Sequence, residues 1–187
     1  MRVPVFVSGA FAAIAFVPMS VASATDVQKV RAEIRKMCDQ TLATLYKAKP
    51  EIKTHIAKSA GYGCFSSFGV TVIFGGAGGR GLVHNNATKK DTFMNLAQAS
   101  AGVELAIKDY REVLVFKDRN TLAKFVDSGW ELTGGGGAAA EVKNKGGSVE
   151  QASAASAGIE IYPMTRTGIA AGGSAAGRKY WKDHDLN

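Results

Sequence analysis

The sequence is short of the residues from which metal centres and cross-linked scaffolds are built: it holds two cysteines and three histidines in 187 residues. That leaves too few ligands for a zinc ribbon and too few thiols for a multi-disulfide scaffold. Proline is scarce, at four, and glycine is missing altogether from positions 10 to 60 although the chain holds 22. All but Gly9 lie at or beyond Gly61. The chain thus joins a glycine-free front to a glycine-dense body. Charged residues at 21% and hydrophobic ones at 46% exclude wholesale disorder. The length is enough for one domain with its own core.

Basic residues outnumber acidic ones 23 to 16, a net charge of +7. Much of the excess is local: residues 25–60 carry eight basic and four acidic side chains. Ahead of them, Met1-Arg2 opens a stretch that is apolar or small from Val3 to Val21 and ends in Ala22-Ser23-Ala24. A cationic start, an apolar middle and a small-residue exit are the features of a secretory signal, with cleavage expected after Ala24. Pro18 inside the run and the small residues behind it argue against a membrane anchor. The expected organisation is a signal peptide over 1–24, a basic helical segment over 25–60 and a glycine-rich β body over 61–187 that forms a single domain with the helices. The expected location is periplasmic or outer-membrane-associated.

From Asp26 to about Tyr46 the pattern is helical. Val27, Val30, Ile34, Met37, Cys38, Thr41, Leu42 and Leu45 share an arc of about 140°, and Lys29, Lys36 and Lys47 line up opposite within about 20°. Asp26 can cap this helix. Pro50 suits the first position of a second, shorter helix running to Lys58 and closed by Gly61. Beyond Gly61 the texture is β: Tyr62–Phe68 and Val70–Phe74 as a pair, then Leu82–His84, Thr92–Ala97, Gly102–Lys108 and Tyr110–Phe116. The run Val113-Leu114-Val115-Phe116 is that of a strand covered on both faces. Asn120–Ser128 is expected as a short helix capped by Asn120 and stopped by Gly129. Trp130–Thr133, Ala138–Val142, Ile159–Tyr162 and Gly168–Ala176 complete the strands. Lys143–Ala157 reads as a loop, and the aromatic tail from Lys179 is expected to dock back. These elements predict an α+β fold, with N-terminal amphipathic helices packed on an antiparallel sheet curled into a sandwich or partly closed barrel.

Gly76-Ala77-Gly78-Gly79-Arg80-Gly81 spells G-x-G-x-x-G, but a dinucleotide site needs a helix straight after the glycines. Leu82-Val83-His84 reads as strand, so the glycines are expected to permit curvature and close backbone approach. Gly172–Arg178 lacks the Lys-Ser/Thr pair of a phosphate-binding loop. His55, His84 and His184 form no catalytic or ligand pattern, and Asp183-His184-Asp185 is read as a solvated tail rather than a metal site. Neither enzyme activity, a cofactor, a metal nor nucleic acid is expected. Cys38 and Cys64 could form a disulfide or lie as two small buried hydrophobes; the residues leave both open. The Lys29, Lys36, Lys47 stripe has the composition of a membrane-surface helix, but on the residues alone a solvated helix face is the favoured reading.

A combination of motifs narrows the choice. Gly61-Tyr62-Gly63-Cys64-Phe65-Ser66, the Gly75–Gly81 cluster leading into Leu82-Val83, Lys108–Phe116, Ala123–Glu131, Gly158–Tyr162, Thr167-Gly168 and Lys179–Asp183 together resemble the SYLF lipid-binding domain family in its exported bacterial branch. The likeness covers roughly residues 26 to 187, with Cys64 standing where an aliphatic residue is usual. It implies a β-rich domain with N-terminal helices that binds phospholipid without catalysing a reaction, and it tips Lys29, Lys36 and Lys47 toward a head-group role. The expected partner is an anionic phospholipid or membrane surface. The alternative is an envelope structural or protein-interaction module with an envelope protein as partner.

Overall fold

In a computed structural model that describes residues 24–72, 76–99, 110–133, 157–164 and 177–187, the glycine-free front is two helices: α1 (Ala24–Ala48) and α2 (Glu51–Lys58). Pro50 stands at the N-cap of α2 rather than inside it, and Ser59, not Gly61, ends it. Gly61 instead opens β1 (Gly61–Val72), one continuous strand where two had been expected. The glycine cluster is not a connector but the first half of β2 (Gly76–Asn85). No helix follows those glycines, so the geometry of a dinucleotide turn is absent there.

β3 (Asp91–Ala99), β4 (Arg111–Phe116), α3 (Arg119–Ser128), β5 (Trp130–Thr133), β6 (Ile159–Met164) and β7 (Gly177–Lys182) follow. The strands form one antiparallel sheet in the order β5-β7-β3-β2-β1-β4-β6. The fold is α+β, and the sheet is a half-barrel with the N-terminal helices against it. Expected strands at 102–108, 138–142 and 168–176, the 143–157 loop up to residue 156, and the signal segment up to residue 23 lie outside the described residues. Helix α3 is capped by Asp118 rather than Asn120: the Asp118 carboxylate accepts from Thr121 N at 2.9 Å. Both are N-cap residue types two positions apart, and the side chain that reaches the free amide decides. Gly129 ends α3 with φ of 72°, a conformation that costs glycine little.

Side chains alternate across the sheet, and both faces are buried. One face gives Cys64, Leu82, Phe93, Val113, Val115 and Met164 to a core shared with Ile34, Cys38, Leu42 and Leu45 of α1. The other gives Phe65, Val83, Leu96, Leu114, Phe116 and Tyr180 to a second core with Leu122 and Phe125 of α3. The run 113–116 therefore feeds both cores in turn, which is why it carries no polar residue.

How far the sheet bends is set by one contact. β7 and β4 are four strand spacings apart, which is about 19 Å in a flat sheet. Yet Arg178 of β7 donates to Glu112 of β4 at 2.9 Å, and the Tyr180 hydroxyl donates to the same carboxylate at 2.6 Å. Both residues face the α3 side, so that side is the concave one. The curl needs a thin inner wall. Gly81 sits there, where an added Cβ would run into Cys64 O and the Phe65 ring, and Gly79 faces Ser66 in the same way.

The C-terminal residues close the other side. Asn187 accepts from Phe93 N at 2.9 Å and donates to Phe93 O at 2.8 Å, and Leu186 enters the α1 core. Of the tail's aromatics Tyr180 is buried, while Trp181 stays 39% exposed; the tail docks through Leu186 and Asn187 rather than through its tryptophan.

Glu112 and Arg178 are 0% and 3% exposed, so removing one strands the other's charge in the core. Arg178→Met should destabilise by about 3–5 kcal/mol. Arg178→Met with Glu112→Leu should cost less than Arg178→Met alone. Urea unfolding of both variants checks this; an equal or larger loss in the double variant would refute it.

Candidate functional site

Helix α1 crosses the convex side of the sheet, and its residues sort by direction. Ile34, Cys38, Thr41, Leu42 and Leu45 point inward and are buried. Lys29, Lys36 and Lys47 point to solvent. They form one row because 7 and 18 residues are close to whole numbers of turns at 100° per residue, and the row is about 27 Å long. Among the described residues no ion pair engages any of the three. The exposed side of the helix also carries three acidic residues, Asp26, Glu33 and Asp39. Glu33 lies within the row and offsets one of its charges.

The front segment's basic residues thus divide into two sets that composition alone does not separate. Arg31 and Arg35 lie roughly 120–160° round the helix from the row and turn toward the body. Arg31 Nε donates to Leu186 O at 2.9 Å, and Arg35 Nε to Asp91 Oδ2 at 2.8 Å. Both guanidinium groups sit over the Phe93 ring, at 5.7 and 5.1 Å from its centroid. At the other end of the helix Lys49 lies over Tyr162, 5.8 Å from the centroid. The arginines anchor and the lysines face out. The i, i+4 spacing of Arg31 and Arg35 was the available signal, but their partners lie at 91 and 186, beyond what local periodicity can indicate.

Cys38, at the middle of α1, is bonded to Cys64 of β1 with Cα atoms 5.2 Å apart. The bond closes a loop of 26 residues and contributes on the order of 3 kcal/mol by restricting the unfolded chain.

The histidines are dispersed. His84 pairs with Asp91 through Nδ1 at 2.7 Å and stacks on Tyr62 with centroids 5.1 Å apart. His55 pairs with Glu160 at 3.0 Å across the seam between α2 and β6. His184 is exposed. Asp183 is buried, and it accepts from Asp185 N at 3.1 Å and Leu186 N at 3.3 Å. It shapes the tail's turn. Among the described residues no group of three His, Cys, Asp or Glu side chains could hold a metal. Among the described residues no helix is long and apolar enough to cross a membrane.

Asp91 joins α1 to β2 through Arg35 and His84. Burial pushes its carboxyl up, but hydrogen bonds and charge from Arg35 and His84 outweigh that and hold it below its ordinary value. Tyr62 beside it is pushed up to about 12, by burial first and then by the neighbouring Tyr46, Asp91 and Asp39, so it stays neutral. A carboxyl depressed in the folded state adds stability above its unfolded pKa and loses it as pH falls through the folded value. Asp91→Asn should therefore lower the Tm at neutral pH, and its gap to the wild type should close below about pH 4. Thermal unfolding of both proteins across pH checks this; a gap independent of pH would exclude the ionised carboxylate as the cause.

No family model matches this chain. Over 159 residues it is 30% identical to Beta cell expansion factor A of Aeromonas veronii, an alignment that takes in 85% of this chain and 59% of that protein. The chain spans 59% of the length of this relative.

Proposed function

We propose that this protein is a SYLF-type lipid-binding module that works in the bacterial envelope after export and adsorbs to anionic phospholipid through the outer face of α1. The observation that supports this is the row of Lys29, Lys36 and Lys47: solvent-facing, engaged in no ion pair among the described residues, and spread over about 27 Å of one helix. A basic side chain near an anionic surface gains about 1 kcal/mol, so three supply a binding constant of roughly 10² at low salt. The α1 apolar residues are committed to the sheet, so contact in this folded state is electrostatic and at head-group level.

The test is flotation of the folded protein with phosphatidylcholine vesicles containing about a third phosphatidylglycerol. Lys29→Gln, Lys36→Gln and Lys47→Gln combined should weaken binding by about 100-fold, with stability changed by less than about 0.5 kcal/mol because all three are exposed. The same change at Lys89, Lys90 and Lys117, exposed in the turns beside the strand ends and outside the α1 row, should do much less. Glu33→Gln should strengthen binding, and wild-type affinity should fall with salt. If the two lysine triples weaken binding equally, the contact is diffuse charge. If the protein fails to float with any lipid and instead retains an envelope protein, it is a protein-interaction module.

A further inference from the structure

The convex side of the fold holds two apolar surfaces face to face. Ile34, Leu42 and Leu45 of α1 are between 0% and 7% exposed, and so are Leu82, Phe93 and Val113 beneath them. Taken alone, α1 has the make-up of an interfacial helix, with an apolar face opposite a lysine row. In the fold its apolar half is turned away from any membrane. Four ties hold it so by side-chain contact: Arg31 to Leu186 O, Arg35 to Asp91, Arg111 Nη1 to Thr41 Oγ1 at 3.2 Å, and the covalent bond from Cys38 to Cys64. Hydrogen bonds and ion pairs exchange with water at modest net cost. The covalent tie does not, and it sits midway along the helix, where it limits how far α1 can lift or roll.

We infer that the Cys38–Cys64 disulfide sets the depth at which this protein engages an anionic membrane. With the bond closed, α1 meets head groups through its lysines alone. With the bond open, α1 leaves the sheet and turns its apolar face among the acyl chains, while the same lipid covers the uncovered sheet. Opening is a two-electron reduction by a dithiol: each cysteine sulfur takes up one electron and one proton, and the dithiol departs as its own disulfide. The inference rests on the proposed lipid-binding reading and adds a control to it.

Burial makes the two events interdependent. Cys38 and Cys64 are 3% and 0% exposed, so a thiolate attacks only when α1 is partly raised. A raised helix is disfavoured in water, where two apolar surfaces would be wetted, and favoured where lipid covers them. By linkage, whatever membrane favours the raised helix also favours reduction. The order of preference among surfaces follows from the lysine row, which brings α1 to anionic lipid first.

The experiment uses the full oxidised chain. Dithiothreitol is added with and without vesicles of phosphatidylcholine containing about a third phosphatidylglycerol, and free thiols are counted by alkylation and mass. Because attack needs the partly raised helix, reduction should be about tenfold or more faster with these vesicles, and unchanged by pure phosphatidylcholine. Vesicle-bound reduced protein should resist release by about 0.5 M NaCl, whereas oxidised protein should wash off. Cys38→Ser with Cys64→Ser should match the reduced protein. Amide exchange guards against simple unfolding: in the vesicle-bound reduced protein α1, β1 and β2 should all keep their protection, which unfolding would abolish. Equal reduction rates together with equal salt release would overturn the disulfide's role and leave the lysine reading standing. Oxidised protein that never floats would overturn the lysine reading, and salt-resistant flotation of the reduced form would then still uphold the disulfide's role.

Discussion

A sheet curls only as tightly as the side chains on its inner wall allow, and in this protein that allowance comes from glycine. At Gly79 and Gly81 of β2 an added Cβ would meet the neighbouring strand's backbone. With the wall thinned there, β7 and β4 swing close enough for Arg178 to reach Glu112. The pair is expensive to bury, and its value lies less in net stability than in fixing one arrangement. A strand shifted by one residue would turn either charge out of the cavity and leave the other unpaired. The aromatic core around Phe65, Phe125 and Tyr180, with Phe65 and Tyr180 centroids 4.9 Å apart, fills what space the polar group leaves.

Curvature on one side dictates the seat on the other. The convex face is broad enough to carry α1 across five strands, from Phe93 of β3 to Tyr162 of β6. Once the helix lies there, 100° per residue decides the role of each side chain. The apolar arc is consumed by the core, the two arginines are spent on Asp91 and Leu186, and of the helix's basic residues the three lysines remain outward. The candidate site is therefore a remainder: it is the positive charge the helix displays once its other basic residues have found partners. A surface produced this way is a strip of charge along one helix, the shape that the proposed head-group contact needs.

Much of this was visible in the sequence, and the exceptions have physical reasons. α1 was legible because a long glycine-free segment with an unbroken apolar arc has few alternatives. The Val113–Phe116 run announced a strand covered twice, and it is one. The first half of β2 was not legible as strand: Gly76–Gly81 reads locally as turn, and only the crowded concave wall explains glycine inside a strand. β7 was hidden because Gly177–Lys182 lacks apolar alternation; it is placed by pairing with β3, some 85 residues earlier. The α3 cap was off by two residues because Asp118 and Asn120 are both good caps. The sequence left Cys38 and Cys64 undecided, since bonding requires a Cα separation that only the fold supplies. The lysine row was legible by periodicity, but its separation from Arg31 and Arg35 was not, because their partners are distant in sequence.

The seat of α1 also has a history in time. The helix lies near the start of the chain, yet the groups that receive it come from β1, β2, β3, β4, β6 and finally Leu186, whose carbonyl bonds to Arg31 across 155 positions. Contacts of that span form late, because the long loop must close before they return any free energy. A chain that emerges from its N-terminus therefore carries an amphipathic helix with no surface to cover until nearly all the rest has arrived. Cys64, only 26 positions on, lies in the earliest strand of the seat. The bond to it can capture the helix beside its nascent strand long before the tail docks, so that the apolar face waits near its destination instead of adhering elsewhere.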